Sequence, residues 1–192
     1  ILNAITISAW IYADSLTASD GIISKRTENE VEGNWALRVD NTNPDRLEWM
    51  VWSATDSSDQ ELSSAGSIIT GAWIHVAVTF DDPTNMTRFY FNGTPDAFGT
   101  DVANTLADNP QTIAIGYAGQ GTQHFDGRIE DVRIYNRVLS PAEISALAAS
   151  PPTACGGPTT TIGDGSDPGN STVAPGSADQ YLDQFSFVAS SG

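Results

Sequence analysis

The sequence predicts an all-β fold of antiparallel strands, a sandwich, jelly roll or barrel, followed by one short helix. Three observations carry this expectation. Runs rich in β-branched and aromatic residues succeed one another through the first 135 residues. Gly, Pro, Asn, Asp or Ser bounds each run, the punctuation of strands and turns. Helix-start chemistry is found after them, at Ser140. No internal repeat of fixed period is visible.

The elements follow in order. AITISAWIY (4–12) sets Ile5, Ile7, Ala9 and Ile11 against Thr6, Ser8, Trp10 and Tyr12, the alternation of a strand with one buried face. GIISK (21–25), NWALRVD (34–40) and RLEWMVWSA (46–54) come next, then AWIHVAVTFD (72–81), TRFYFNG (87–93) and QTIAIGY (111–117). DDPTNM reads as a hairpin turn, and FNGT carries the Asn-Gly turn pair. In HFDGRIEDVRIY the apolar parity breaks: Phe125 and Ile129 are odd, Val132 and Ile134 even. Either a β-bulge near Glu130–Asp131 absorbs the slip and re-aims a carboxylate, or the strand is buried on both faces. The helix is specified locally. Ser140 is its N-cap, Pro141 opens it, Glu143 completes a capping box, and Leu139 with Ile144 is spaced as a hydrophobic staple. So short a helix needs a sheet to lean on, and covering a sheet edge or end is its expected task.

Composition bounds the rest. The 192 residues carry a net charge of -16, which argues against nucleic-acid and anionic-membrane partners. No apolar run approaches the roughly 20 residues of a membrane span. The chain starts at Ile1 almost directly on a strand pattern, as expected of an excised or mature piece of a longer protein. Cys155 is the single cysteine, so no disulfide closes within the chain. The expected organisation is a sandwich domain over 1–149, a Pro/Gly/Ser/Thr-rich linker over 150–179 and a strand-like tail over 180–192. In that tail Tyr181, Phe185 and Phe187 share a parity.

ITISAWIYAD, GIISK, GAWIHVAVTFD with RFYFNG, and FDGRIEDVRIYNRVLSPAEI occur in an order that resembles the laminin-G-like, or concanavalin A-like, jelly-roll family, over roughly residues 4–147. The resemblance implies two curved antiparallel sheets, placement in secreted or cell-surface proteins, and binding of carbohydrate or extracellular protein, with Ca2+ often structural and catalysis uncommon. Such families carry a strand ahead of TISAW. Where that strand is missing an edge is open, and QYLDQFSFVAS, from the same chain or a neighbour, is the candidate to fill it.

Several residues are candidates for chemistry. In the family an acid of the G-x-I-D-x-V-R strand often lies near Ca2+, which points to Asp131 or Glu130, with Asp126 behind them; Ca2+ takes several carboxylate and carbonyl oxygens. The competing reading pairs Asp131 with Arg128 or Arg133. Trp49 and Trp52 alternate along one strand, so one belongs to the core while the other is a candidate sugar platform. Trp10, Trp35 and Trp73 read as packing. Glu28, Glu30 and Glu32 alternate in a loop and read as a charge run rather than a hydrolytic pair. GDGSDPGN reads as a linker turn, and His75 as a packed strand residue. Asn85, Asn92 and Asn170 match the glycosylation pattern. No Ser-His-Asp set, zinc spacing or phosphate loop is recognisable. The leading expectation is a non-catalytic extracellular module binding carbohydrate or protein. The alternatives are a building block joined through its C-terminal strand and, last, a glycan hydrolase.

Overall fold

The computed structural model describes residues 4–26, 35–53, 58–100, 106, 111–119, 121–152 and 187–188. Its strands are β1 (Ala4–Ala13), β2 (Gly21–Lys25), β3 (Trp35–Val39), β4 (Arg46–Ser53), β5 (Ser58–Ser67), β6 (Trp73–Asp81), β7 (Met86–Phe91), β8 (Thr94–Thr100), β9 (Ala114–Ile115), β10 (Gly127–Tyr135) and β11 (Phe187–Val188). One α-helix, α1 (Pro141–Ala148), follows β10. The strands form two antiparallel sheets, a six-stranded one ordered β11-β10-β1-β6-β7-β8 and a five-stranded one ordered β5-β4-β3-β2-β9. This is the all-β sandwich the sequence predicts.

Period-two alternation builds the core. From the six-stranded sheet Ile5, Ile7, Ile11, Val76, Val78 and Phe80 turn inward, and from the five-stranded sheet Trp35, Leu37, Leu47, Trp49 and Val51. The Trp49 ring lies 5.8 Å from Trp35 and 6.0 Å from Phe80, so it touches both layers. The sequence reading missed two strands, β5 and β8, and stretched β9. β5 (SDQELSSAGS) is rich in Ser and shows little alternation. It is held instead by pairing with β4 along its length, and by the buried Ser64 hydroxyl, which accepts from the Leu47 amide and donates to the Gly66 carbonyl. β8 lies behind the Asn92-Gly93 turn, where both residues have positive φ, the geometry a tight hairpin needs. Its Pro95 suits an edge strand.

The parity slip in β10 is resolved by a bulge. Ser8 faces Arg133 and Trp10 faces Glu130, so Ala9 alone opposes Asp131 and Val132. Asp131 has φ 50°, the left-handed conformation that admits the extra residue. Ile129 and Val132 consequently both reach the core. Just before this strand turns, Gly127 brings its backbone so close to Tyr12 that an added Cβ would lie 2.1 Å from the Tyr12 carbonyl oxygen.

α1 starts as expected. The Glu143 amide donates to the Ser140 hydroxyl, and the Ser140 amide donates to the Glu143 carboxylate at 2.7 Å. It rests on the outer face of the six-stranded sheet, where Leu139 and Ile144 pack with Ala77 and Tyr90, and reaches the end of the edge hairpin, where the Gly93 turn lies against Ser145 and Ala148. The outward residues of β6 and β7 at that point are apolar or aromatic and need a cover. Thr6, fully buried on the same face, donates to the Arg137 carbonyl at 2.7 Å and accepts from the Leu139 amide at 3.0 Å. That hydroxyl satisfies two backbone groups that burial would otherwise leave unpaired. Ile144→Ala should lower unfolding free energy by about 2–5 kcal/mol and Ser140→Ala by about 1 kcal/mol, read as denaturant midpoints; equal and negligible losses would contradict this seating.

Candidate functional site

The three carboxylates singled out as metal ligands do not converge. Asp131 leaves the bulge to accept from Arg133 Nε at 2.8 Å and Nη2 at 2.9 Å, so both of its oxygens already serve a guanidinium. Glu130 stands opposite Trp10, whose side chain lies on the outer face. Asp126 precedes the strand, and its Oδ2 accepts from the Ser15 hydroxyl at 2.6 Å. Five residues of extended chain separate Asp126 from Asp131, roughly 15 Å, too far for one ion. Among the described residues no group of three or more His, Cys, Asp or Glu is placed to hold a metal. Of the three, Asp126 has an acidic neighbour in Asp20. Burial pushes the Asp20 carboxyl above its ordinary range; the Thr17 amide opposes this and the charge of Asp126 adds to it.

The tryptophans divide as the alternation requires, but neither is an open platform. Trp49 is a core side chain with no exposed surface, so its candidacy is corrected to packing. Trp52 points from the opposite face of the five-stranded sheet and is 6% exposed. It shares that face with a polar layer the sequence did not reveal. Arg38 Nε donates to Glu48 Oε1 at 2.5 Å and its Nη2 donates to Glu61 Oε1 at 2.5 Å. Asn41 Nδ2 donates to the other Glu61 oxygen. Burial raises the Glu48 carboxyl and the Arg38 charge opposes that rise. Trp35 and Trp10 are buried, as read from sequence. Trp73 is half-buried, edge-on to Tyr12 at 5.7 Å, with the Arg128 guanidinium 4.1 Å over the Tyr12 ring. Glu28, Glu30, Glu32, the GDGSDPGN segment, Cys155, Tyr181 and Phe185 lie outside the described residues, as does the side chain of Phe187.

An open groove of about 740 Å³ lies on the outer face of the six-stranded sheet, between the β6–β7 end and the 136–143 segment that leads into α1. Thr79, Asp81, Arg88 and Tyr90 supply the sheet side, and Arg137 with Glu143 the other wall. Arg137 Nη2 donates to Glu143 Oε1 at 2.8 Å, and Asp81 accepts from the Thr84 hydroxyl. Arg88 sits 5.4 Å from the ring centre of Phe98, its cross-strand partner on β8. Phe98 is 66% exposed, the most exposed large apolar side chain described. Arg137 first, then Ser140, hold the Glu143 carboxyl down to about 2. The groove therefore offers a fixed ion pair and hydroxyls, and next to it, past Arg88, Phe98 presents an exposed ring. Sequence reasoning missed it because its walls come from strands and a loop far apart in the chain. Phe98, in the unrecognised β8, was the available signal.

His75 belongs to the same sheet face. It is buried, edge-on to Trp10 at 5.4 Å. Its pKa falls to about 4, chiefly through burial; Asp131 pulls it up and Arg133 pushes it down. The packed-residue reading fits this setting.

Comparison with known proteins places the fold. Residues 2–145 match the model of the concanavalin A-like lectin/glucanases superfamily. A zebrafish (Danio rerio) adhesion G-protein coupled receptor V1 is 26% identical over 79% of this chain. A rat (Rattus norvegicus) sushi, von Willebrand factor type A, EGF and pentraxin domain-containing protein is 23% identical over 79% of it. The chain spans only 2% and 4% of those two proteins. Among solved structures, the CBM40 of the Ruminococcus gnavus IT-sialidase, bound to α2,3-sialyllactose, superposes with TM-score 0.63 at 19% identity, covering 77% of this chain and 83% of that one. Domain 4 of a Geobacillus stearothermophilus extracellular arabinanase, in complex with arabinotriose, gives TM-score 0.59 at 20% identity, covering 76% and 66%. Among the described residues no helix is long and apolar enough to cross a membrane.

His75 sets an acid limit on stability. Its folded pKa lies below the unfolded value near 6.5, so the unfolded state takes up the proton first. The stabilisation is whole above pH 6.5 and is lost as pH falls toward 4, a decline of about 3 kcal/mol. Chemical denaturation from pH 7 to 4 should show this fall in the native chain and a shallower one in His75→Gln; parallel curves would refute it.

Proposed function

Because the chain belongs to the concanavalin A-like lectin/glucanases superfamily, we propose that it is a non-catalytic binding module of a secreted or cell-surface protein, taking carbohydrate in the groove beside α1. The observation that carries this reading is the open groove lined by Arg88, with the exposed Phe98 beside Arg88 on the neighbouring strand. A pyranose has an apolar C–H face for an exposed ring and hydroxyls for fixed charged groups. The volume lies in the range of small-molecule sites. The structural likeness to modules solved with sialyllactose and arabinotriose supports carbohydrate as the ligand class. The state of Glu143 supports binding over hydrolysis. A glycosidase needs one carboxyl that keeps its proton near neutral pH, whereas Glu143 is held at about 2 and committed to Arg137 and Ser140.

A structural Ca2+ belongs to the same proposal, at Asp126 rather than Asp131. Asp126 keeps an oxygen outside its bond from Ser15 and lies close enough to Asp20 for the two charges to repel, a tension a divalent cation would relieve.

On a glycan array the native chain should give a saturable signal. Phe98→Ala and Arg88→Ala should each weaken the best ligand about tenfold or more, roughly 1.4 kcal/mol, with the melting curve preserved. Undiminished binding in both variants would move the site elsewhere. For the metal, Ca2+ should raise Tm relative to chelator in the native chain and in Asp131→Asn, and should fail to do so in Asp126→Asn. A Tm indifferent to Ca2+ in the native chain would remove the ion from the proposal.

A further inference from the structure

Two bulges face each other where the last strands of the two sheets meet. β5 ends the five-stranded sheet and β8 the six-stranded one. In β5, Ser63 opposes Glu48 and Ser67 opposes Arg46, so Leu47 alone meets Ser64, Ala65 and Gly66. The Leu47 amide there is taken by the Ser64 hydroxyl rather than by a ladder carbonyl. In β8, Pro95 opposes Tyr90 and Phe98 opposes Arg88, so Phe89 alone meets Asp96 and Ala97. Asp96 joins the two bulges. Its Oδ2 accepts from the Ala65 amide at 2.8 Å, and the Gly66 amide, 3.0 Å from each oxygen, donates between them. Two successive amides thus cradle a carboxylate from the other sheet, as backbone nests cradle anions.

The β8 bulge decides which way Phe98 points. Arg88 and Tyr90 face the groove, and Phe89 faces the core. The register set by Pro95 opposite Tyr90, continued without a bulge, would place Ala97 opposite Arg88 and turn Phe98 inward, because a one-residue slip reverses every following side chain. The extra residue prevents this. Ala97 packs against the core, and Phe98 stands outside, 66% exposed, with Arg88 5.4 Å from its ring centre. Burial of the ring favours the slip. The inward place is apolar: Gly99 occupies it, and an added Cβ there would lie 2.9 Å from Leu62 Cδ1. Against the slip stands the acid. Regular pairing opposite the fully buried Phe89 would aim the Asp96 carboxylate at the interior, where a charge needs donors. The bulge swings it to the amides of β5 instead.

We propose that Asp96 is the positioning residue for Phe98: by anchoring the β8 bulge on Ala65 and Gly66 it holds the ring outside, beside Arg88, where it meets a ligand. The ligand half of this inference rests on the carbohydrate reading above; the anchoring half does not. Asp96 itself touches no ligand and acts through the register of its strand.

The test uses the full chain and two readouts. The first needs no ligand: nuclear Overhauser contact between the Phe98 ring and the Arg88 side chain, with broadening of the ring signals by a soluble nitroxide. Both should be strong in the native chain and lost in Asp96→Ala. Asp96→Asn, which accepts through one oxygen only, should weaken both and speed amide exchange at Ala65 and Gly66; it carries the test if the alanine variant does not fold. The second readout is affinity for the array glycan that gives the native chain its strongest signal. Asp96→Ala should lose about as much as Phe98→Ala, roughly tenfold, and the double variant should be no weaker than Phe98→Ala alone, whereas independent effects would multiply to about a hundredfold. An unchanged Phe98 contact and broadening in the folded Asp96 variants, or losses that multiply, would overturn the proposal and leave the carbohydrate reading in place. A ring that turns inward in Asp96→Ala while native and Phe98→Ala chains bind alike would uphold the anchoring and remove Phe98 from the carbohydrate reading.

Discussion

Trp49 lies between Trp35 and Phe80, and through that contact the five-stranded sheet meets the six-stranded one. It is fully buried, as are Ile5, Ile7, Ile11 and Leu37 around it. Each enters the interior because strands expose alternate side chains to alternate faces. Once those positions are taken, the remaining side chains of every strand are fixed on the outer faces. Thr6, His75, Ala77 and Tyr90 are therefore outward residues by necessity, and the seat of α1 and the groove beside it are built from what the core left over. The same division puts Arg38, Glu48 and Trp52 together on the far side of the other sheet.

The alternation fails once in β10, and the failure is informative. Two apolar residues three positions apart, Ile129 and Val132, must both reach the interior. A regular strand cannot do this, and one extra residue can. Asp131 occupies the extra place at positive φ, a conformation short polar side chains tolerate better than branched ones. Its carboxylate is then turned toward Arg133. The bulge thus re-aims an acid, but into an ion pair. That pair also sets opposed charges beside His75, which leaves burial as the dominant influence on the imidazole.

Much of the fold was legible because its information is local. Alternation in AITISAWIY and AWIHVAVTFD, the Asn92-Gly93 turn, the capping box at Ser140 and the parity break before Val132 each occupy a few consecutive residues. β5 was not legible, because its register comes from β4 and from the Ser64 hydroxyl rather than from its own apolar pattern. The helix was legible and its seat was not, since Ala77 and Tyr90 lie far from it in sequence. The same limit applies to function. Parity told Trp49 and Trp52 apart but could not say that the second would also be covered. Arg88, Asp81 and Arg137 are unremarkable singly, and only pairing between β6 and β7 and the return of the chain after β10 bring them to one groove, with Phe98 beside Arg88 on β8.

The hydroxyl of Thr6 is tied to backbone groups at Arg137 and Leu139, separated from it by more than 130 residues. One wall of the groove is thereby registered against the first strand of the chain. A growing polypeptide that has already emitted β1, β6 and β7 still possesses no such cleft, because the wall is made by the part of the domain synthesised last. Loop closure over so long a span comes late and slowly. The cleft is therefore a feature that the molecule acquires only at the completion of folding, when the two ends of the domain are registered against each other.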